Sequence, residues 1–167
     1  MLEVIKKRRS IRKYQKKEVE QEKLNEILKA AMYSPSAMHR RPWEFIVVKD
    51  KELKNELAKA TPGSSLVKDA PIALIIAAKD SPRWIEDCSI AAEAIYLEAT
   101  NQGLGTCFCQ IFSGKTLKDS EEYVKQIIKA PKDVRILCIM PLGYSAEEKS
   151  EHTEEEFDKN KIHYEKY

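Results

Sequence analysis

Two almost uninterrupted apolar runs constrain this chain more than any other feature: residues 72–78 (IALIIAA) and 134–142 (VRILCIMPL). A strand apolar at successive positions has no face to give to water, so both runs must be covered on two sides. The longest apolar stretch, near 70–78, is about half of what a membrane-spanning helix needs. The runs therefore read as buried strands of a layered domain.

Between them the sequence alternates helical and strand-like patterns. Residues 2–8 form a short helix ending in a basic cluster. Over 20–33, Leu24, Ile27, Leu28 and Ala31 recur at i, i+3, i+4, i+7, which predicts an amphipathic helix. Ser34-Pro35-Ser36 stops it, because a residue before proline is pushed out of helical geometry. Residues 43–48 (WEFIVV) predict a strand, and Asp50 is placed to cap a helix over 51–60. A loop follows at 61–65. Residues 83–102 predict a long helix with small residues for close packing and Gly103 as its C-cap. A strand over 104–111, a helix over 116–129 and the strand over 134–142 complete the body. Helices between strands predict a three-layer sandwich but leave strand order and direction open. Repeats and domain boundaries are absent, so residues 1–167 read as one domain with a polar tail over 145–167. That tail ends in an apolar and aromatic patch, 162–167 (IHYEKY), which points to docking, on another subunit or on its own chain.

Charge is balanced overall, 29 basic against 27 acidic residues, but unevenly distributed. Residues 6–17 hold eight basic side chains and no acid, whereas 147–158 hold seven acids and one base, Lys149. The first chemical candidate is Arg8-Arg9-Ser10-Ile11-Arg12. Arginine forks grip phosphate oxygens in pairs, and a hydroxyl and turn amides add donors. A solvated basic face is the plain alternative, and a nucleic-acid module is a weaker one for want of a longer basic stripe with aromatics. The second candidate is the loop 34–43 (SPSAMHRRPW), whose small residues let a flat ring approach the backbone. The third, Gly103-Leu104-Gly105-Thr106-Cys107, lacks the last glycine of a dinucleotide fingerprint and follows a helix rather than a strand. Cysteines 88, 107, 109 and 138 form no C-x-x-C pair and read as free thiols, with 107 and 109 on one face of a strand. The three histidines are too scattered for a metal site, and no nucleophile or general base stands out. Any reaction here would be carried by a cofactor. The N-terminus has its charge after the apolar stretch, the reverse of a secretory signal, which points to a cytoplasmic protein.

Taken in order, Arg8-Arg9-Ser10-Ile11-Arg12-Lys13-Tyr14, Pro35-Ser36-Ala37 with Pro42-Trp43-Glu44-Phe45, Gly103-Leu104-Gly105-Thr106-Cys107 and Leu142-Gly143-Tyr144 resemble the nitroreductase family of FMN-dependent oxidoreductases. The resemblance spans about residues 3–145. It implies an α+β fold, a three-layer α/β/α sandwich with a mainly antiparallel central sheet. It also implies a homodimer with FMN at the subunit interface and the C-terminal tail reaching the partner. By the same resemblance Arg8, Arg9, Ser10 and Arg12 would hold the FMN phosphate and ribityl chain, and Pro35, Ser36 and Ala37 would line the ring. His39 stands where the family usually has Asn, and Arg41 where it usually has Gln. A backbone amide near Gln110 or Ile111 would face flavin N5, where the family's glycines are missing. Lys149 would complete the phosphate site. The implied activity is hydride transfer from NADH or NADPH to the flavin, then to a nitroaromatic, quinone or similar small acceptor, with ping-pong kinetics. A flavin protein with more specialised chemistry is the alternative.

Overall fold

A computed structural model describes residues 1–79, 81–112 and 118–167. The first helix, α1 (Leu2–Lys7), leads through the basic segment to α2 (Gln21–Met32). Then come β1 (Trp43–Val48), α3 (Lys51–Leu57), β2 (Ile72–Lys79), α4 (Trp84–Asn101), β3 (Gly105–Thr106), β4 (Cys109–Gln110), α5 (Lys118–Ile128) and β5 (Val134–Gly143). The first two positions of the helix expected over 116–129 lie outside the described residues. The loop expected at 61–65 is instead part of a 3₁₀ helix, Pro62–Asp69, whose start is closed by Thr61 N donating to Ser64 Oγ at 2.9 Å.

The two apolar runs are neighbours at the centre of the sheet. Strand β2 pairs antiparallel with β1 on one side and β5 on the other. On the far side of β5 lie β3 and β4, also antiparallel to it. Alternation along β2 divides the core. Ile72, Leu74, Ile76 and Ala78 face α2 and α4, meeting Leu24, Ile27, Ala91 and Ile95. Ala73, Ile75 and Ala77 face the other way, toward Leu57, Val67 and Val124. The sheet is thus sandwiched between helices, as an α+β architecture requires. No helix among the described residues is long and apolar enough to cross a membrane.

The strand expected over 104–111 is one edge with a gap. Thr106 pairs with Leu142 and Cys109 with Ile139, so the register runs on unbroken across Cys107 and Phe108. The ladder opens there because Phe108 N donates to the Tyr96 hydroxyl at 2.7 Å. Gly103 follows α4 with φ +73°, and Leu104 N reaches back to Ala99 O at 2.8 Å. That left-handed turn, easy for glycine, closes the helix and delivers the chain to the sheet edge.

The tail begins on its own chain. Ser145 bridges Tyr14, Ala146 N donates to Lys13 O at 2.9 Å, and His152 N donates to Lys6 O at 2.9 Å. Beyond it Phe157, Ile162, Tyr164 and Tyr167 are exposed.

Candidate functional site

Arg8 ends α1 in an extended conformation and turns the chain toward the sheet. Ser10 bridges Thr106 in parallel, and Ile11 N donates to Thr106 O at 2.9 Å. The contact needs a glycine opposite: a Cβ on Gly105 would lie 2.6 Å from Ile11 Cγ1. Tyr14, buried, donates its hydroxyl to Ile11 O at 2.5 Å, and burial pushes that phenol above its ordinary range. The basic segment is therefore anchored from beneath, and its polar groups are held rather than free.

Two of those groups, on Arg8 and Ser10, meet Tyr96 of α4. Ser10 Oγ lies 3.2 Å from Tyr96 Oη, and the Arg8 guanidinium carbon lies 5.2 Å from the centre of the Tyr96 ring. Arg8 Nη2 is 3.2 Å from His152 Nε2. Arginine can only donate, so His152 Nε2 accepts and Nδ1 carries the proton, donating to Glu156 Oε2 at 2.7 Å. Arg9 Nη1 donates to Ser150 O. Arg12 Nη1 turns back to Ser10 O at 3.4 Å, while its amide donates to Glu147 Oε1 at 2.5 Å. That amide and Lys149 Nζ, 3.1 Å from Glu147, hold the Glu147 carboxyl below its usual range. Four of the residues expected at a phosphate, Arg8, Arg9, Ser10 and Arg12, thus share one turn, with Lys149 on the adjoining tail. Changing Tyr96 to Phe is expected to lower stability by about 1–2 kcal/mol, because Phe108 N loses its acceptor; denaturant unfolding reads this.

Two thiols border the cluster. Cys109 donates to Cys107, and the Arg12 charge adds to this, so Cys107 sits below the ordinary thiol range despite its burial. The same contact pushes Cys109 above it. All four cysteines are free, as expected. Thiolate absorbance is expected to titrate below the usual thiol range in the native protein. Cys109→Ala should raise that midpoint, since the donor is gone.

The second group is the loop after α2. Met38, His39 and Arg41 have φ of 53°, 56° and 50°, a left-handed conformation that costs non-glycine residues about 1–3 kcal/mol each. The loop is pinned nonetheless: Ala37 N donates to Asp87 Oδ1 at 2.8 Å and Arg41 N to Ser36 Oγ at 2.9 Å. Arg41 Nη2 folds back onto Met32 O at 2.8 Å. His39 and Pro35 are exposed. A cavity of about 260 Å³ lies between Ala37–Arg40 and Ser81–Arg83. Several buried polar atoms here and at the first cluster have no hydrogen-bond partner among the described residues: Ser34 Oγ, Ser81 Oγ, Asp87 Oδ2 and Thr106 Oγ1. Native proteins usually satisfy such atoms, so these four are available to accept or donate a further hydrogen bond.

Ile111 is fully buried and its amide donates to Leu137 O at 3.0 Å, within the sheet. Gln110 is exposed, its side chain turned to Phe112 O at 2.8 Å. Three residues of the site escape sequence reasoning: Asp87, Tyr96 and His152. The first two lie on the core-facing side of α4, where a carboxylate or hydroxyl needs a partner. His152 sits in an acidic tail without periodicity and gave no signal.

The model of the nitroreductase family matches residues 5–71 and 61–144. A protein of Methanothermobacter thermautotrophicus, provisionally named NADH dehydrogenase/NAD(P)H nitroreductase, is 41% identical over 172 residues, covering 100% of this chain and 87% of its own. The solved FMN-dependent nitroreductase of Clostridium difficile R20291 is 41% identical, superposes with a TM-score of 0.95 and covers 100% of both chains. An iodotyrosine deiodinase of Thermotoga neapolitana is 25% identical over 182 residues, covering 93% of this chain and 94% of that one. Matching motifs, a shared antiparallel sandwich and relatives of nearly equal length agree: this chain belongs to the nitroreductase family.

Proposed function

We propose that the protein is an FMN-dependent oxidoreductase that takes a hydride from NADH or NADPH and passes the electrons to a small acceptor such as a quinone or nitroaromatic. The observation that carries this reading is the pairing of two pinned polar surfaces on α4. The Arg8–Ser10 turn meets Tyr96, and the Ser36–Ala37 loop meets Asp87, about 13 Å away along the helix axis. One surface is cationic and suits a phosphate; the other is backbone-rich and suits the edge of a flat ring. The unpartnered Thr106 Oγ1 by Ser10 and Asp87 Oδ2 by Ala37 lie beside the two surfaces, and an FMN spanning them fits these residues.

In this reading Arg8, Arg9, Ser10 and Arg12 bind the phosphate, and Lys149 adds charge from the tail. Pro35, Ser36 and Ala37 line the ring, with Asp87 fixing the Ala37 amide. His39, Arg41 and the Gln110 backbone border the acceptor side. When bound, the flavin supplies two-electron chemistry that no side chain here offers. The residues orient the ring against the nicotinamide and then the acceptor, and orientation alone can lower a barrier by several kcal/mol. The left-handed residues 38, 39 and 41 are held in place by the Asp87 and Ser36 hydrogen bonds, so the loop that would face the ring is preformed. The exposed Phe157, Ile162, Tyr164 and Tyr167 of the otherwise polar tail support a homodimer in which the tail covers the partner and closes the flavin site. Steady-state rates with NAD(P)H and a quinone varied together test the mechanism. Parallel double-reciprocal lines are expected, and intersecting lines would require both substrates to bind at once.

A second reading rests on the likeness to the Thermotoga deiodinase and on His39 and Arg41 at the ring loop. It keeps the flavin but assigns a specialised acceptor; a deiodination assay with iodotyrosine separates the two.

A further inference from the structure

Beyond Arg12 the chain borders a groove of about 810 Å³, enclosed by residues 12–19, by the approach to α3 and by residues 68–72. Eight of its sixteen lining residues are Lys or Arg, and two, Glu18 and Asp69, are acidic. Lys13, Lys16, Lys51 and Lys68 have no carboxylate within ion-pair distance among the described residues, and Lys17 has only Glu20, at 4.0 Å. The floor is apolar, formed by the Tyr14 ring with Val19, Pro71 and Ile72. It is tightly closed underneath, since a Cβ on Gly143 would lie 2.5 Å from Pro71 Cδ.

Lys54 makes this more than a solvated basic face. It is only 8% exposed, and its ammonium donates to Ala70 O at 2.6 Å and Pro71 O at 3.0 Å. Both partners are neutral carbonyls, and among the described residues no carboxylate lies within ion-pair distance, the Asp50 charge acting on it from farther away. Burial pulls its pKa below the ordinary lysine value. A buried cation with no carboxylate in direct contact is costly, and an anion seated over it lowers the cost. Separate strands of evidence therefore favour an anion with several charges and a ring: a dense lysine rim, a buried lysine and an apolar floor.

We propose that this groove binds a nucleotide carrying two or more phosphates, its phosphates on the lysine rim and its ring on the Tyr14–Ile72 floor. The site is separate from the one proposed for FMN. Arg12 borders both, but its guanidinium turns away to Ser10 O. The remaining charge lies on segments that the flavin reading does not use.

The test is calorimetric titration of FMN-saturated protein with ATP, tripolyphosphate and AMP at one ionic strength. ATP is expected to bind, with AMP weaker by about tenfold or more, because each phosphate adds charge-assisted hydrogen bonds. ATP binding more tightly than tripolyphosphate supports the ring on the floor; equal affinities overturn that part and leave a bare polyphosphate site. The double variant K16E/K68E, both exposed positions, should weaken ATP by about tenfold or more while leaving the flavin spectrum unchanged. The milder K16Q/K68Q should fall between it and wild type. No heat with ATP, an affinity indifferent to K16E/K68E, or binding of duplex DNA without ATP binding would overturn the proposal. Loss of flavin from the wild-type protein would instead count against the FMN reading, and the ATP titration is read independently of it.

Discussion

Arg8→Ala is expected to weaken FMN binding by roughly 10- to 150-fold, the equivalent of about 1.5–3 kcal/mol for a hydrogen bond to a charged group. Arg8 stands over Tyr96, 3.2 Å from His152, and its side chain is the part-buried cation of the turn. Its removal takes away the forked donor that a phosphate needs and leaves His152 without its present partner. Arg12→Ala should have a smaller effect, because Arg12 is exposed and its amide contact to Glu147 survives the change. Fluorescence titration of apoprotein with FMN at constant salt measures both. Equal affinities for Arg8→Ala and wild type would remove Arg8 from the site.

The largest stability effect is expected from Gly105→Ala. The new Cβ would lie 2.6 to 2.9 Å from three carbons of Ile11, whose amide is tied to Thr106 O. Flexible side-chain ends could move aside, but one of these carbons is Ile11 Cβ, close to the backbone. Either the bridge between Ser10 and Thr106 opens or β3 leaves β5. Overpacking of this kind costs about 1–3 kcal/mol. For a domain of this size that corresponds to a melting temperature lower by about 2–12 °C. The same displacement moves Ser10 off Tyr96, so FMN affinity should fall as well. A melting temperature within a degree of wild type would show that the contact is not a constraint.

Much of this arrangement was legible in the residues, for reasons that can be named. Strands β2 and β5 are apolar on both faces because both are covered, and no other element offers that pattern. The stop at Ser34-Pro35 and the cap at Gly103 follow from backbone sterics alone. Strand β1 and helix α2 appear within a residue of expectation for the same reason. The gap between β3 and β4 was not legible, since it depends on a hydroxyl from α4 taking one amide out of the ladder. Nor was the contact of the Ile111 amide with Leu137 O, because it is a tertiary fact. The basic segment could be read as a phosphate cradle or a solvated face. Only Tyr96, Thr106 and His152, drawn from a helix, a strand and the tail, distinguish the two. In the third motif Gly105 acts through packing, admitting Ile11 as Gly143 admits Pro71, and Gly103 through its left-handed turn.

The most direct test of the oxidoreductase reading is the absorbance spectrum of the FMN-loaded protein under anaerobic conditions, before and after one equivalent of NADH or NADPH. Flavin bands that bleach, then return on addition of a quinone or nitroarene, are the expected result. Bands that remain unchanged with both nucleotides would contradict hydride transfer in this protein, even with FMN firmly bound.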